Sequence, residues 1–210
     1  MGAFGGLKFS WITAKKTVLL YDLAGKTLNR TGLMRNAGNI NIKLERSVAD
    51  DKEFIKNIHQ HYLHDLSEYN HCLQLNSAGL FDNSFVDSYY CEDNLIPLKI
   101  TLENSIIGFI FCSISSGPKV EYIIQDAFIL KGYRNRGLCK SALGQLFNLY
   151  PGKYGLVILM KNEPAKSFWK HCLGCLGTNY TSDEVVVDEN LCLRLIFDSR
   201  KSFQPNDENK

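Results

Sequence analysis

The feature that most constrains the fold is a strand–turn–helix–strand run between residues 121 and 160. An apolar strand over residues 121–130 enters a turn crowded with Arg and Gly. Leu138, Ala142, Leu143, Leu146 and Leu149 then recur at helical spacing until Pro151-Gly152 stops them. Residues 154–160 form a second apolar strand. A helix between two strands is the crossover that a parallel pair requires, and it lays that helix on one face of the sheet.

The flanking segments extend this unit on both sides. Ile40, Ile42 and Leu44 alternate with polar residues, as a strand does. Asp50 or Asp51 stands where a cap belongs for a helix running to about His64, with Phe54, Ile55, Ile58 and Tyr62 on one face. A second helix is expected over residues 66–75. Residues 95–102 and 106–114 read as a hairpin turning at Glu103-Asn104-Ser105. A helix over 163–172 carries Pro164 in its first turn, where proline is tolerated. Residues 185–187 and 191–197 form a closing hairpin. This order predicts an α/β fold, a mixed central sheet flanked by helices.

The predicted domain spans residues 39–197. Residues 1–38 read as an appendage, with a short helix expected over 15–28. There Lys8, Lys15, Lys16, Lys26, Arg30 and Arg35 face only Asp22. Residues 198–210 are expected to be a polar tail. At 45% hydrophobic and 22% charged, a chain of 210 residues buries a core without staples. A net charge of +2 carries no nucleic-acid footprint. No run reaches the roughly 20 apolar residues that a membrane span needs. The seven cysteines are odd in number, and Cys112 and Cys192 sit in apolar runs, as thiols in a reducing compartment do. The expectation is a soluble cytoplasmic protein with no nucleic-acid or membrane partner; a homodimer is compatible.

Chemistry concentrates in the turn Arg134-Asn135-Arg136-Gly137-Leu138-Cys139. The first amides of the following helix lack intrahelical partners and, with the helix dipole, suit a phosphate. Gly137 permits close approach to the backbone, and Arg134, Arg136 and Lys140 add charge. Gly132 to Gly137 has the spacing of a Walker A loop, but Leu138-Cys139 stands where Lys-Ser/Thr is needed. No Gly-x-Gly-x-x-Gly occurs.

The Arg-x-x-Gly-x-small pattern at 134–139, with Cys139 in the last small position, resembles the first signature of the GNAT acetyltransferase family. Asn162-Glu-Pro-Ala165-Lys-Ser-Phe168-Trp169-Lys170 resembles its second, at the next strand-to-helix turn. The likeness covers roughly residues 39–197 and is nearest to a bacterial subgroup of acetyltransferases. It implies the GNAT fold, with two parallel strands splayed around acetyl-coenzyme A as acyl donor and no metal. It also implies attack on the thioester by a primary amine, most simply that of a small molecule. The alternative is a non-catalytic acyl-CoA-binding module.

By the same resemblance, the backbone of Phe128, Ile129 and Leu130 holds the pantetheine and the developing oxyanion. Asn162 contacts the cofactor arm, with Phe168 and Trp169 beside it. Asp126, eight residues before Arg134, is the candidate general base, weighed evenly against a strand carboxylate facing solvent; Glu121 is a weaker substitute. Trp169 occupies the place where relatives carry a proton-donating Tyr, and an indole N–H is no acid at neutral pH. Tyr133, Tyr180 or water would then protonate the thiolate, or no acid is needed. His61, His64, Asp65 and Glu68 share a helical face, but their spacing fits no zinc pattern. That helix is expected to line the acceptor pocket or to present a solvated face. Cys172-x-x-Cys175 lacks a second pair and follows a helix, which disfavours zinc and redox roles.

Overall fold

A computed structural model describes residues 42–202. The expected strand residue Ile40, the helix over 15–28 and the appendage 1–38 lie outside the described residues, as does the chain beyond Ser202.

Seven strands form one sheet: β1 (Ile42–Arg46), β2 (Leu95–Leu102), β3 (Ser105–Ile114), β4 (Tyr122–Ile129), β5 (Lys153–Leu159), β6 (Thr178–Val187) and β7 (Asn190–Ser202). Their spatial order is β1-β2-β3-β4-β5-β7-β6. Three helices pack against it: α1 (Lys52–Ser67), α2 (Leu138–Leu149) and α3 (Glu163–Cys175). The α/β expectation therefore holds, with β4–α2–β5 as the central crossover and β4·β5 as the parallel pair. All other neighbouring strands run antiparallel.

Both hairpins turn on two residues at positive φ. These are Glu103 (48°) and Asn104 (67°) between β2 and β3, and Asp188 (46°) and Glu189 (64°) between β6 and β7. Such turns match the natural strand twist. The edge strand β1 is tied down by one side chain of α2. Gln145 accepts from the Leu44 N–H at 2.9 Å and donates to the Ile42 carbonyl at 3.0 Å. Backbone groups on an otherwise open edge are thereby satisfied.

Three expectations are corrected. No second helix forms over 66–75, because α1 ends at Ser67. The asparagines beyond it take backbone donors for themselves. Asn70 accepts from Cys72 N–H, and Asn76 accepts from Ala78 and Leu80 N–H. This local bonding competes with the helix. Asp51 does not cap α1 with its side chain; its carboxylate accepts from Val48 N–H at 2.9 Å and pairs with Lys99 at 2.8 Å. Finally, β6 starts at Thr178 and β7 runs on to Ser202, into the stretch expected to be tail. Exposed polar residues on both faces of β6 hide its period. The strand exists because β7 pairs with it, supported by the Asp183–Arg194 ion pair.

Candidate active site

The parallel pair is short. β4 and β5 are in register only at Tyr122↔Tyr154 and Ile123↔Gly155, and beyond these positions the strands part. A bulge sits at the same place: Phe111 pairs with Asp126 but Cys112 with Ile124, leaving Gln125 as an extra residue. Bulges bend the strand that carries them, so β4 turns away from β5 just where Asp126 stands. The splayed pair expected from the resemblance is present.

Alternation along β4 determines which backbone groups face the gap. Leu130 N–H donates to the Ile107 carbonyl at 2.9 Å, so this pair belongs to the bonded set of the β3 ladder. Phe128, opposite Phe109, is in the same set two residues earlier. Ala127 and Ile129 therefore turn their amides and carbonyls toward the gap. Of the three backbone positions implied earlier, Ile129 faces the gap, whereas Phe128 and Leu130 serve the ladder. Ala127 is the position the sequence reading omitted. Phe128 O lies so close to Gly108 that a Cβ there would meet it at 2.2 Å; a glycine is required at residue 108.

Beyond β4 the chain makes a single 3-10 turn, Lys131–Tyr133, and enters the Arg-rich loop. Asn135 and Gly137 both take positive φ, 61° and 71°, and Gly137 is the N-cap of α2. A Cβ at 137 would meet nothing within 4 Å. Glycine is thus favoured there by backbone conformation, with open space above it. The first backbone bond into α2 runs from Ser141 N–H to Gly137 O at 3.0 Å, so the amides ahead of it emerge from the helix end. A cleft of about 290 Å³ lies at that end. The loop, including Asn135, Gly137, Leu138, Cys139 and Lys140, forms one wall with Ile129. Phe168, His171 and Cys172 of α3 form the other.

Arg134 has a different role from the phosphate charge expected of it. Its Nε donates to the Ile129 carbonyl at 2.7 Å, and its guanidinium bonds Asp65 of α1 at 2.8 Å and lies 5.1 Å from the Phe128 ring centroid. Its positive charge is balanced by Asp65, and the side chain fixes the loop onto β4 and α1. Burial pushes the Asp65 carboxyl up. Hydrogen bonds from Arg134 and Lys131, with their charges, outweigh this and hold it below the usual carboxylate range. Arg136 is exposed, with its guanidinium 5.8 Å from the Tyr133 ring centroid, and Lys140 is exposed at the cleft.

Asn162 caps α3, its Oδ1 accepting from Ala165 N–H at 2.9 Å. The residue is fully buried and its Nδ2 has no acceptor. Phe168 and Trp169 are buried, with ring centroids 5.7 Å apart.

Asp126 does not face solvent; it is 1% exposed. Tyr62 O–H donates to its Oδ1 at 2.7 Å, and His59 Nε2 lies 3.4 Å from Oδ2. His59, itself fully buried, has ring centroids of Phe85, Phe109 and Phe111 within 5.1–5.9 Å. Burial, then the Asp126 charge, pushes nearby Tyr89 well above its ordinary range, so that hydroxyl stays neutral. Sequence reading grouped His59 with the polar histidines of α1. The usable signal was its spacing, because it falls on the same face as Ile55 and Tyr62. Asp65, placed earlier on a speculative metal face, is engaged by Arg134 and by Lys131 at 3.0 Å. Among the described residues, no three His, Cys, Asp or Glu side chains are grouped to hold a metal. No described helix is long and apolar enough to cross a membrane.

Residues 55–175 match the sequence model of the acetyltransferase (GNAT) family, which is more than half of the chain, and the protein belongs to that family. Similar solved structures bear this out at the level of fold. An acetyltransferase from Thermus thermophilus aligns at 14% identity over 74% of this chain and 96% of its own, with a TM-score of 0.55. The aminoglycoside acetyltransferase AAC(6')-Ib, in complex with coenzyme A, aligns at 13% identity over 76% and 96%, TM-score 0.54. The yncA protein of Salmonella typhimurium, solved with acetyl-CoA, aligns at 12% identity over 79% and 98%, TM-score 0.53. No curated protein matches the sequence.

Proposed function

We propose that this acetyltransferase moves an acetyl group from acetyl-CoA to the primary amine of a small molecule. The observation that carries this reading is one continuous track. It runs from the cleft at the head of α2 to the gap between β4 and β5, where Ala127 and Ile129 turn backbone groups outward. A diphosphate suits the helix end and the glycine loop. An extended arm suits the gap, and the buried Asn162 amide, which lacks an acceptor, suits a carbonyl of that arm. Coenzyme A in AAC(6')-Ib and acetyl-CoA in yncA agree with this donor.

In this reading the neutral amine attacks the thioester carbonyl carbon directly. Outward N–H groups of β4 stabilise the negative charge that develops on the carbonyl oxygen. Asp126, directly or through a water, takes the amine proton. Tyr62 and His59 hold that carboxylate in place. A second reading, a non-catalytic acyl-CoA-binding module, is favoured by Trp169 in the place of an ionisable hydroxyl.

One experiment separates the two. Free CoA thiol is followed when acetyl-CoA is offered with a panel of amino sugars, polyamines and aminoglycosides. Amine-dependent thiol release supports the enzyme; tight acetyl-CoA binding with no release for any amine supports the module.

A further inference from the structure

Trp169 is fully buried, and its indole N–H has no hydrogen-bond acceptor. Buried indoles normally find a partner, and an unsatisfied buried donor costs about 1–3 kcal/mol. The residue shares this condition with Asn162, whose Nδ2 is also buried without an acceptor. Seven residues separate them along α3, which at about 100° per residue places both on one face, roughly 10 Å apart along the axis. Phe168 and Cys172, on either side of Trp169 in the same helix, line the cleft at the head of α2. Two orphaned donors in a row beside a cleft call for an extended ligand with several acceptors. An acyl-pantetheine arm is such a chain, carrying two amide carbonyls and a thioester.

We infer that the Trp169 N–H donates a hydrogen bond to the acyl-pantetheine arm and holds it without giving up a proton. This rests on acetyl-CoA being the donor, as proposed above. An indole has no acidic proton at neutral pH, so the balance of the transfer is distinctive. The amine lone pair forms the C–N bond, the C–S bond breaks with its pair on sulfur, and the amine proton goes to Asp126 or solvent. Coenzyme A departs as thiolate, and Trp169 is a positioning residue.

The test replaces Trp169 by Phe, which keeps an aromatic ring in the core and removes the N–H. Calorimetry should show CoA and acetyl-CoA binding weakened about 2- to 10-fold, the size of one hydrogen bond. In a Trp11→Phe background Trp169 is the sole indole, and its emission should shift as CoA is added. Asn162→Ser retains a capping oxygen and should weaken binding similarly, which guards against reading a misfolded Trp169→Phe protein as support. Trp169→Phe binding at wild-type affinity, with no emission shift in the Trp11→Phe protein, overturns the inference alone. A wild-type protein that binds no CoA overturns the proposed donor as well.

Discussion

Arg134 and Asp65 meet at 2.8 Å across 69 residues of sequence, with side chains only 6% and 7% exposed. This pair joins the cofactor loop to α1, the helix that also presents His59 and Tyr62 to Asp126. Removing one member of a buried pair leaves the other charge uncompensated, at a cost of about 3–5 kcal/mol. Asp65→Asn should therefore lower the urea midpoint clearly and weaken acetyl-CoA binding together. The carboxyl is held below the ordinary Asp value of 3.8. Its contribution is complete above that value and is lost as pH falls through the lower folded-state value. Wild-type stability should fall more steeply than that of Asp65→Asn below about pH 4. Parallel curves would show that the pair contributes nothing.

Gly137 allows stability and binding to be separated. Its φ of 71° strains most residues, but Asn tolerates that region, as Asn135 already does at 61°. A side chain at 137 meets no protein atom within 4 Å and would project into the open space of the cleft. Gly137→Asn should shift the thermal midpoint by only a few degrees while acetyl-CoA binding falls by roughly 10-fold or more, the equivalent of one lost charge-assisted hydrogen bond. Unchanged binding would remove the loop from the donor site.

Gly108 should behave in the opposite way. A methyl there would lie 2.2 Å from the Phe128 carbonyl oxygen, a backbone atom of the neighbouring strand. Gly108→Ala must push β3 from β4, with a loss of about 3 kcal/mol or more, at the upper end of overpacking costs. Gly132→Ala, with nothing within 4 Å, is the control and should be close to neutral. Denaturant curves for the two proteins decide the matter.

Asp126→Asn keeps shape, and its amide oxygen can still accept from Tyr62. Acetyl-CoA affinity should stay near wild type, and turnover should fall by roughly 10²–10⁴-fold, the usual contribution of a positioned base. The deficit should narrow as pH rises, because more of the free amine is already neutral. Wild-type turnover across the pH range would make Asp126 structural and assign the proton to water or to Glu121.

The sequence alone determined the central crossover, the two hairpins around residues 103–105 and 188–189, and the glycine loop at the head of α2. Each is a local pattern: apolar periodicity, a turn pair, a breaker, a capping asparagine. Both family signatures were legible for the same reason, since each lies on one strand-to-helix turn. The tertiary structure decided what no local pattern encodes. Arg134 carried a positive charge in sequence, and only the fold directed that charge to Asp65. His59 read as one of several polar histidines until packing placed it among Phe85, Phe109 and Phe111 beside Asp126. The bulge at Gln125 and the ladder partner of Leu130 decided which amides of β4 face the gap. Strand β6 has too little apolar alternation to declare itself and forms because β7 supplies its hydrogen bonds. Register, burial and charge pairing depend on residues distant in the chain, so they appear only when the sheet closes.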